Sequence, residues 1–110
     1  MTVVATPVFR ALADPTRREI LRLLRGRPRT SGEIAQRFDS RWPTISRHLA
    51  VLREAGLVVT ERKGQEIHYE LNTSVFQDVV HHLMEFIAPA GVGDPKRARR
   101  AQRRRRAQEA

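Results

Sequence analysis

Between Arg41 and Arg47 the chain sets two arginines, Trp42, Thr44 and Ser46 around Pro43. A guanidinium forks onto the O6 and N7 of guanine, hydroxyls reach base edges or phosphate oxygens, and an indole lies against a sugar or a thymine methyl. The chemistry these types suit is recognition of a nucleic acid. Arg47 is placed to read a base, Thr44 and Ser46 to reach bases or phosphates, and Arg41 to meet backbone phosphate. Two of them have a second reading: Trp42 as packing between helices, and Ser46 as a local cap. His48, one residue before Leu49, reads as structural or as a phosphate contact. A second basic spot lies at "ERKGQ", where Arg62, Lys63 and Gln65 surround a glycine. Such a tip can meet phosphate or the flanking minor groove, or be a solvated turn.

The elements that would carry these residues follow from hydrophobic spacing. Val8, Phe9 and Leu12 suit a short helix ending near Ala13. Asp14 is placed to N-cap a second helix with Pro15 at its first position, and Ile20, Leu21, Leu23 and Leu24 give that helix a buried face before Gly26 and Pro28. In "TSGEIAQRF", Thr30 and Glu33 form a capping box ahead of Ile34, Ala35 and Phe38. Pro43 disfavours a helical Trp42, so the next helix is expected to start at Pro43, to bury Ile45, Leu49 and Leu52, and to end near Ala55 with Gly56 as its C′ residue. Two short helices this closely joined make a helix-turn-helix.

The period then shifts from 3.6 towards 2. Ile67, Tyr69 and Leu71 alternate with Glu66, His68 and Glu70, Val58 to Arg62 can pair with them, and Lys63-Gly64 is the expected tip. A last helix, capped by Thr73 or Ser74, carries Phe76, Val79, Val80, Leu83 and Ile87 as one stripe, widened by Val75 and Phe86. The expected fold is mainly α with a small β-hairpin, in the order α-α-α-α-β-β-α: a winged helix-turn-helix. In that fold the second helix of the motif enters the major groove with its first residues at the base edges, which accounts for the cluster at Arg41 to Arg47.

Composition supports a polyanionic partner. The 110 residues hold 21 Lys plus Arg against 12 Asp plus Glu, a net charge of +9. Residues 94–110 have eight basic and two acidic side chains, net +6, which leaves thirteen against ten, net +3, for residues 1–93. The expected organisation is therefore a DNA-binding and dimerisation domain over 1–90, then a flexible basic tail over 91–110 whose arginines add salt-sensitive, sequence-independent affinity or serve only solubility. There is no cysteine, which excludes disulfides, thiolate metal sites and thiol redox sensing. No stretch approaches the ~18 consecutive apolar residues of a membrane span, and the expected location is cytoplasmic. No phosphate loop, cofactor motif or supported catalytic constellation is found, so neither an enzyme nor a cofactor is expected.

Taken in order, "FRALADPTRREILRLL", "TSGEIAQRF", "TISRHLAVLREAGLV" and "ERKGQEIHYELN" resemble successive signatures of the ArsR/SmtB family of bacterial repressors. Within it the chain is most similar to the metal-independent, autorepressor-like members. The resemblance spans roughly Val8 to Ile87. It implies a homodimer built from the first and last helices, bound to double-stranded operator DNA and repressing transcription. The family's base-reading positions fall on Trp42, Pro43, Ser46 and Arg47. Arg41 stands where many members have serine, so the target sequence does not carry over. The dimer surface is expected from Val8, Phe9, Val75, Phe76, Val79, Val80 and Leu83. The alternative is a metal- or small-ligand-responsive repressor with its sensor site on the last helix. There Asp78, His81, His82 and Glu85 supply nitrogen and oxygen ligands, and His82 lies one turn from both Asp78 and Glu85. The family's Asp-x-His and His-x-x-His spacing is absent, and the same four residues also read as a plain polar face. No obligatory metal is expected.

Overall fold

The computed structural model describes residues 6–88 and 103–108. The elements run α1 (Thr6–Leu12), α2 (Pro15–Leu23), β1 (Arg29–Thr30), α3 (Ser31–Gln36), α4 (Trp42–Glu54), β2 (Val58–Lys63), β3 (Glu66–Leu71) and α5 (Thr73–Ile87). The chain divides into two compact units, Met1–Phe76 and Gln77–Ala110. Within the first unit, α4 packs against α1, α2, α3 and β2.

Local chemistry sets the helix ends. Asp14, in extended conformation, accepts the Arg17 N–H through its side chain, and Pro15 follows at the first turn. At α3, Thr30 and Glu33 exchange both bonds of a capping box. α4 closes at Ala55, and Gly56 then adopts φ +79, a left-handed value that a side chain resists. Two arginines of α2 bond the last carbonyls of α1. Arg17 Nη2 donates to Arg10 O at 2.8 Å, Arg17 Nε to Ala11 O at 2.8 Å, and Arg18 Nη1 to Leu12 O at 2.9 Å.

The core of the first unit draws on every helix of the motif. Ile20, Ile34, Ile45, Leu49, Leu52, Leu57 and Val58 are all essentially inaccessible to solvent. Ile34 is thus the centre of the inner face of α3, while Ala35 and Phe38 are half-buried at its margin.

Four expectations are corrected in detail. A strand that the sequence did not announce, β1, pairs with β3 through Arg29↔Tyr69 and Thr30↔His68, so the hairpin is part of a three-stranded antiparallel sheet in the order β1-β3-β2. The hairpin register ends at Lys63↔Glu66, which makes Gly64-Gln65 the tip in place of Lys63-Gly64. Gly64 has φ +64 and no other residue of the tip has a positive value, so the glycine occupies the first loop position, where the turn needs it. α4 begins at Trp42, one residue before Pro43, because the Arg41 carbonyl already accepts the N–H groups of Thr44 and Ile45. Proline costs nothing there, since a first-turn N–H has no partner inside the helix. α5 begins at Thr73, and Asn72 holds the entry position: its carbonyl accepts the N–H groups of Val75 and Phe76, and its side chain donates to Gly56 O at 3.0 Å.

The expected tail over residues 91–110 lies outside the described residues, except for 103–108, which are helical and exposed.

Candidate nucleic-acid interface

The buried and exposed sides of α4 decide what its first turn can touch. Ile45, Leu49 and Leu52 recur at helical spacing and are 0%, 1% and 0% exposed. That fixes the opposite side toward solvent, and Arg41, Trp42, Pro43, Thr44, Ser46 and Arg47 are all exposed there. Trp42 keeps 49% of its surface, so its packing within the chain is partial and half the ring is open to a partner. Arg41 is the N-cap residue, with extended backbone and no side-chain cap bond. The start of α4 therefore presents the positive end of the helix dipole together with the exposed guanidinium groups of Arg41 and Arg47, a combination that attracts phosphate.

The wing is a second exposed surface. Strand pairing puts Arg62 opposite Ile67, and Lys63 opposite Glu66, on alternate faces of the hairpin. The face carrying Lys63 also carries Glu61, His68, Glu66 and Glu70, and His68 Nε2 lies 3.5 Å from Glu66 Oε2. Basic charge is thus concentrated at the tip, and the flank of the hairpin is acidic. Arg62 Nε donates to Gly64 O at 3.2 Å, which folds its side chain over the tip, and Lys63 and Gln65 are exposed beside it. On the other face Ile67 is 42% exposed, while Tyr69 and Leu71 are half-buried.

His48 has a place that its sequence position did not reveal. Its Nδ1 lies 3.3 Å from Arg17 Nη1 and 3.9 Å from Asp14 Oδ2. A polar contact thus joins the middle of α4 to the start of α2, and through Arg17 to the end of α1. Asp14 is held below the ordinary aspartate value, first by the Arg17 backbone N–H, against a smaller opposing effect of burial. Nothing in the local pattern around His48 signals this contact, since its partner is 31 positions away.

The residues expected at a dimer surface separate into three groups. Val8 and Val79 are each 5% exposed within one chain, so both are core residues here; Val8 shares its buried face of α1 with Ala11. Val75 and Phe76 are half-buried, whereas Phe9, Val80 and Leu83 remain exposed. Phe86 and Ile87 are exposed further along α5. Of the metal-ligand candidates, His82 and Glu85 come together, with Nδ1 3.8 Å from Oε2, and the His82 ring meets Phe86 edge-on at 5.6 Å. Asp78 and His81 do not join them: among the described residues no three His, Asp or Glu side chains are grouped as a metal ion requires. Among the same residues no helix is long and apolar enough to cross a membrane.

Comparison with known proteins fits this geometry. A helix-turn-helix domain profile matches residues 12–61. The transcriptional repressor SdpR of Bacillus subtilis is 49% identical over 80 residues, covering 73% of this chain and 89% of the relative. The crystal structure of an ArsR family transcriptional regulator superposes with a TM-score of 0.68 at 34% identity, covering 72% of this chain and 87% of that one. A homodimeric winged helix-turn-helix DNA-binding domain from Mycobacterium bovis superposes with a TM-score of 0.59 at 29% identity, covering 76% and 83%.

Proposed function

Because the chain belongs to the ArsR/SmtB family of winged helix-turn-helix transcriptional regulators, we propose that this DNA-binding regulator is a homodimeric repressor that reads a palindromic operator through α4. The observation that carries the reading is the surface of that helix. Three buried side chains lock one side of α4 into the core, while Trp42, Thr44, Ser46 and Arg47 leave the other side at its uncapped start. Arg47 forks onto a guanine, Thr44 and Ser46 take base edges or phosphates, Trp42 lies against sugar or a thymine methyl, and Arg41 binds backbone phosphate.

The wing tip adds backbone contacts beside the site through Arg62, Lys63 and Gln65. The basic residues beyond position 90 add affinity that is indifferent to sequence. Exposed Val80, Leu83, Phe86 and Ile87 on α5, and exposed Phe9 on α1, are covered when two copies meet, and a dimer supplies two α4 helices for the two half-sites. Repression follows from occupancy of DNA in the cytoplasm and involves no catalysis. Residues 1–90 act as the binding and dimerisation domain.

Selection from a random duplex library tests this. The enriched sites are expected to be inverted repeats with half-sites about one helical turn, ~34–36 Å, or a multiple of it apart. Enrichment of single half-sites, or of no common sequence, would overturn the dimeric reading.

A further inference from the structure

We propose that His48 is a positioning residue for base reading: through Arg17 it fixes the rotation of α4 on α1 and α2, and so the direction in which Ser46 and Arg47 leave the helix. The inference rests on the reading of α4 as the helix that meets the bases.

The apolar stripe of α4 settles which side faces the core, and a directional bond at its edge sets the angle more finely. Ile45, Leu49 and Leu52 are held by burial, which is non-directional and is satisfied over a range of small turns about the helix axis. A hydrogen bond weakens steeply as its angle departs from linear, so one such bond at the edge of the stripe selects a single setting. His48 stands at that edge, three residues after Ile45 and four before Leu52, with its side chain 17% exposed. Successive residues lie about 100° apart around a helix, so any turn that displaces His48 displaces Arg47 by the same angle.

The partner at the other end is itself anchored. Arg17 donates through Nε to Ala11 O and through Nη2 to Arg10 O, both at 2.8 Å, and its backbone N–H is held by Asp14 Oδ2 at 3.0 Å. Three of its donors are thereby committed to α1 and to the cap of α2, which leaves Nη1 directed at His48 Nδ1 across 3.3 Å. With the imidazole proton on Nε2, Nδ1 accepts this bond. The strut therefore runs from the last carbonyls of α1, through one guanidinium, to the residue that adjoins Arg47. A shift of α1 reaches the reading surface by the same route.

The test uses the full chain carrying Arg47→Ala, His48→Leu, His48→Asn, Arg17→Gln or both Arg17→Gln and His48→Leu. Each is titrated against the duplex that wild-type protein enriches from a random library and against a scrambled duplex, at a temperature where circular dichroism shows it folded. His48→Leu fills the site without an acceptor and is expected to lose ~10-fold in preference for the enriched duplex, with affinity for the scrambled one unchanged. His48→Asn offers an uncharged acceptor close to the Nδ1 position and is expected to keep the preference. Arg17→Gln should match His48→Leu, and the double variant should be no worse than either, because both remove one strut. Should His48→Leu not fold, Arg17→Gln and His48→Asn carry the comparison. Full preference in His48→Leu, loss in His48→Asn, or additive losses in the double variant would overturn the positioning role. If Arg47→Ala loses preference while His48→Leu keeps it, only this role fails. If both keep it, reading by α4 fails and this role with it.

Discussion

The Glu33 carboxylate accepts the Thr30 N–H at 3.1 Å, and the Thr30 hydroxyl accepts the Glu33 N–H at the same distance. Arg27 Nη2 adds a third bond to Glu33 Oε2 at 2.9 Å. These contacts, the Thr30 backbone bond first and the Arg27 guanidinium second, lower Glu33 from 4.5 to about 2. Because Thr30 also pairs with His68 in the sheet, one residue ends a strand and starts the first helix of the DNA-binding motif.

Acid should therefore loosen this corner in a defined window. Glu33 is depressed in the folded state, so its contribution is complete above the ordinary value of 4.5 and is lost as pH falls from there towards about 2. Asp14 is lowered as well and acts with the same sign. Thermal melts between pH 5 and 2 are expected to show stability falling with pH, and Glu33→Gln should flatten that fall. An unchanged slope in Glu33→Gln would contradict the assignment.

Replacing Gly56 by alanine should cost about 1–2 kcal/mol, since φ +79 brings a Cβ into conflict with its own backbone. Space is not the obstacle, because the added carbon would meet Val75 Cγ2 at an ordinary 3.9 Å. Urea denaturation measures the loss, and a neutral substitution would show that the turn has relaxed.

Leu52→Ala removes a side chain that is 0% exposed and should destabilise the fold by about 2–5 kcal/mol. Chemical denaturation is the check. A cost below ~1 kcal/mol would mean that α4 is less firmly seated than its burial indicates.

At the wing, Lys63→Ala should weaken binding to all duplexes alike and reduce the slope of log K against log salt by about one. A loss confined to one sequence would instead make the tip a base reader.

On α5, Leu83 is 46% and Phe86 74% exposed, and the proposed dimer covers both. Leu83→Glu and Phe86→Glu should shift sedimentation equilibrium towards monomer and weaken operator binding together. Variants that remain dimeric would place the interface elsewhere.

The parts of this structure legible in the sequence are those written in local chemistry. Asp14-Pro15, the Thr30 and Glu33 pair and Gly56 announce helix ends because caps and left-handed turns demand particular residues. The spacing of Ile45, Leu49 and Leu52 marks the buried side of α4 and so implies the exposed one. What escaped depends on distant partners or on competition between neighbours. β1 has two residues and exists only because β3 lies beside it. Pro43 argues against a helical Trp42, yet the Arg41 carbonyl closes the turn one residue earlier. Val8, expected at a dimer surface, is 5% exposed within its own chain. The Arg17 to His48 contact has no local signature at all.

Recognition of the operator depends on sequence reading by α4. Its most direct test is wild-type affinity for the library-enriched duplex against a scrambled duplex of equal length, followed by fluorescence anisotropy across a salt series. A preference of ~10³ or more that persists at physiological salt is the expected result. Equal binding to both duplexes, fading together as salt rises, would show that the arginines supply affinity without reading a base, and would contradict the account.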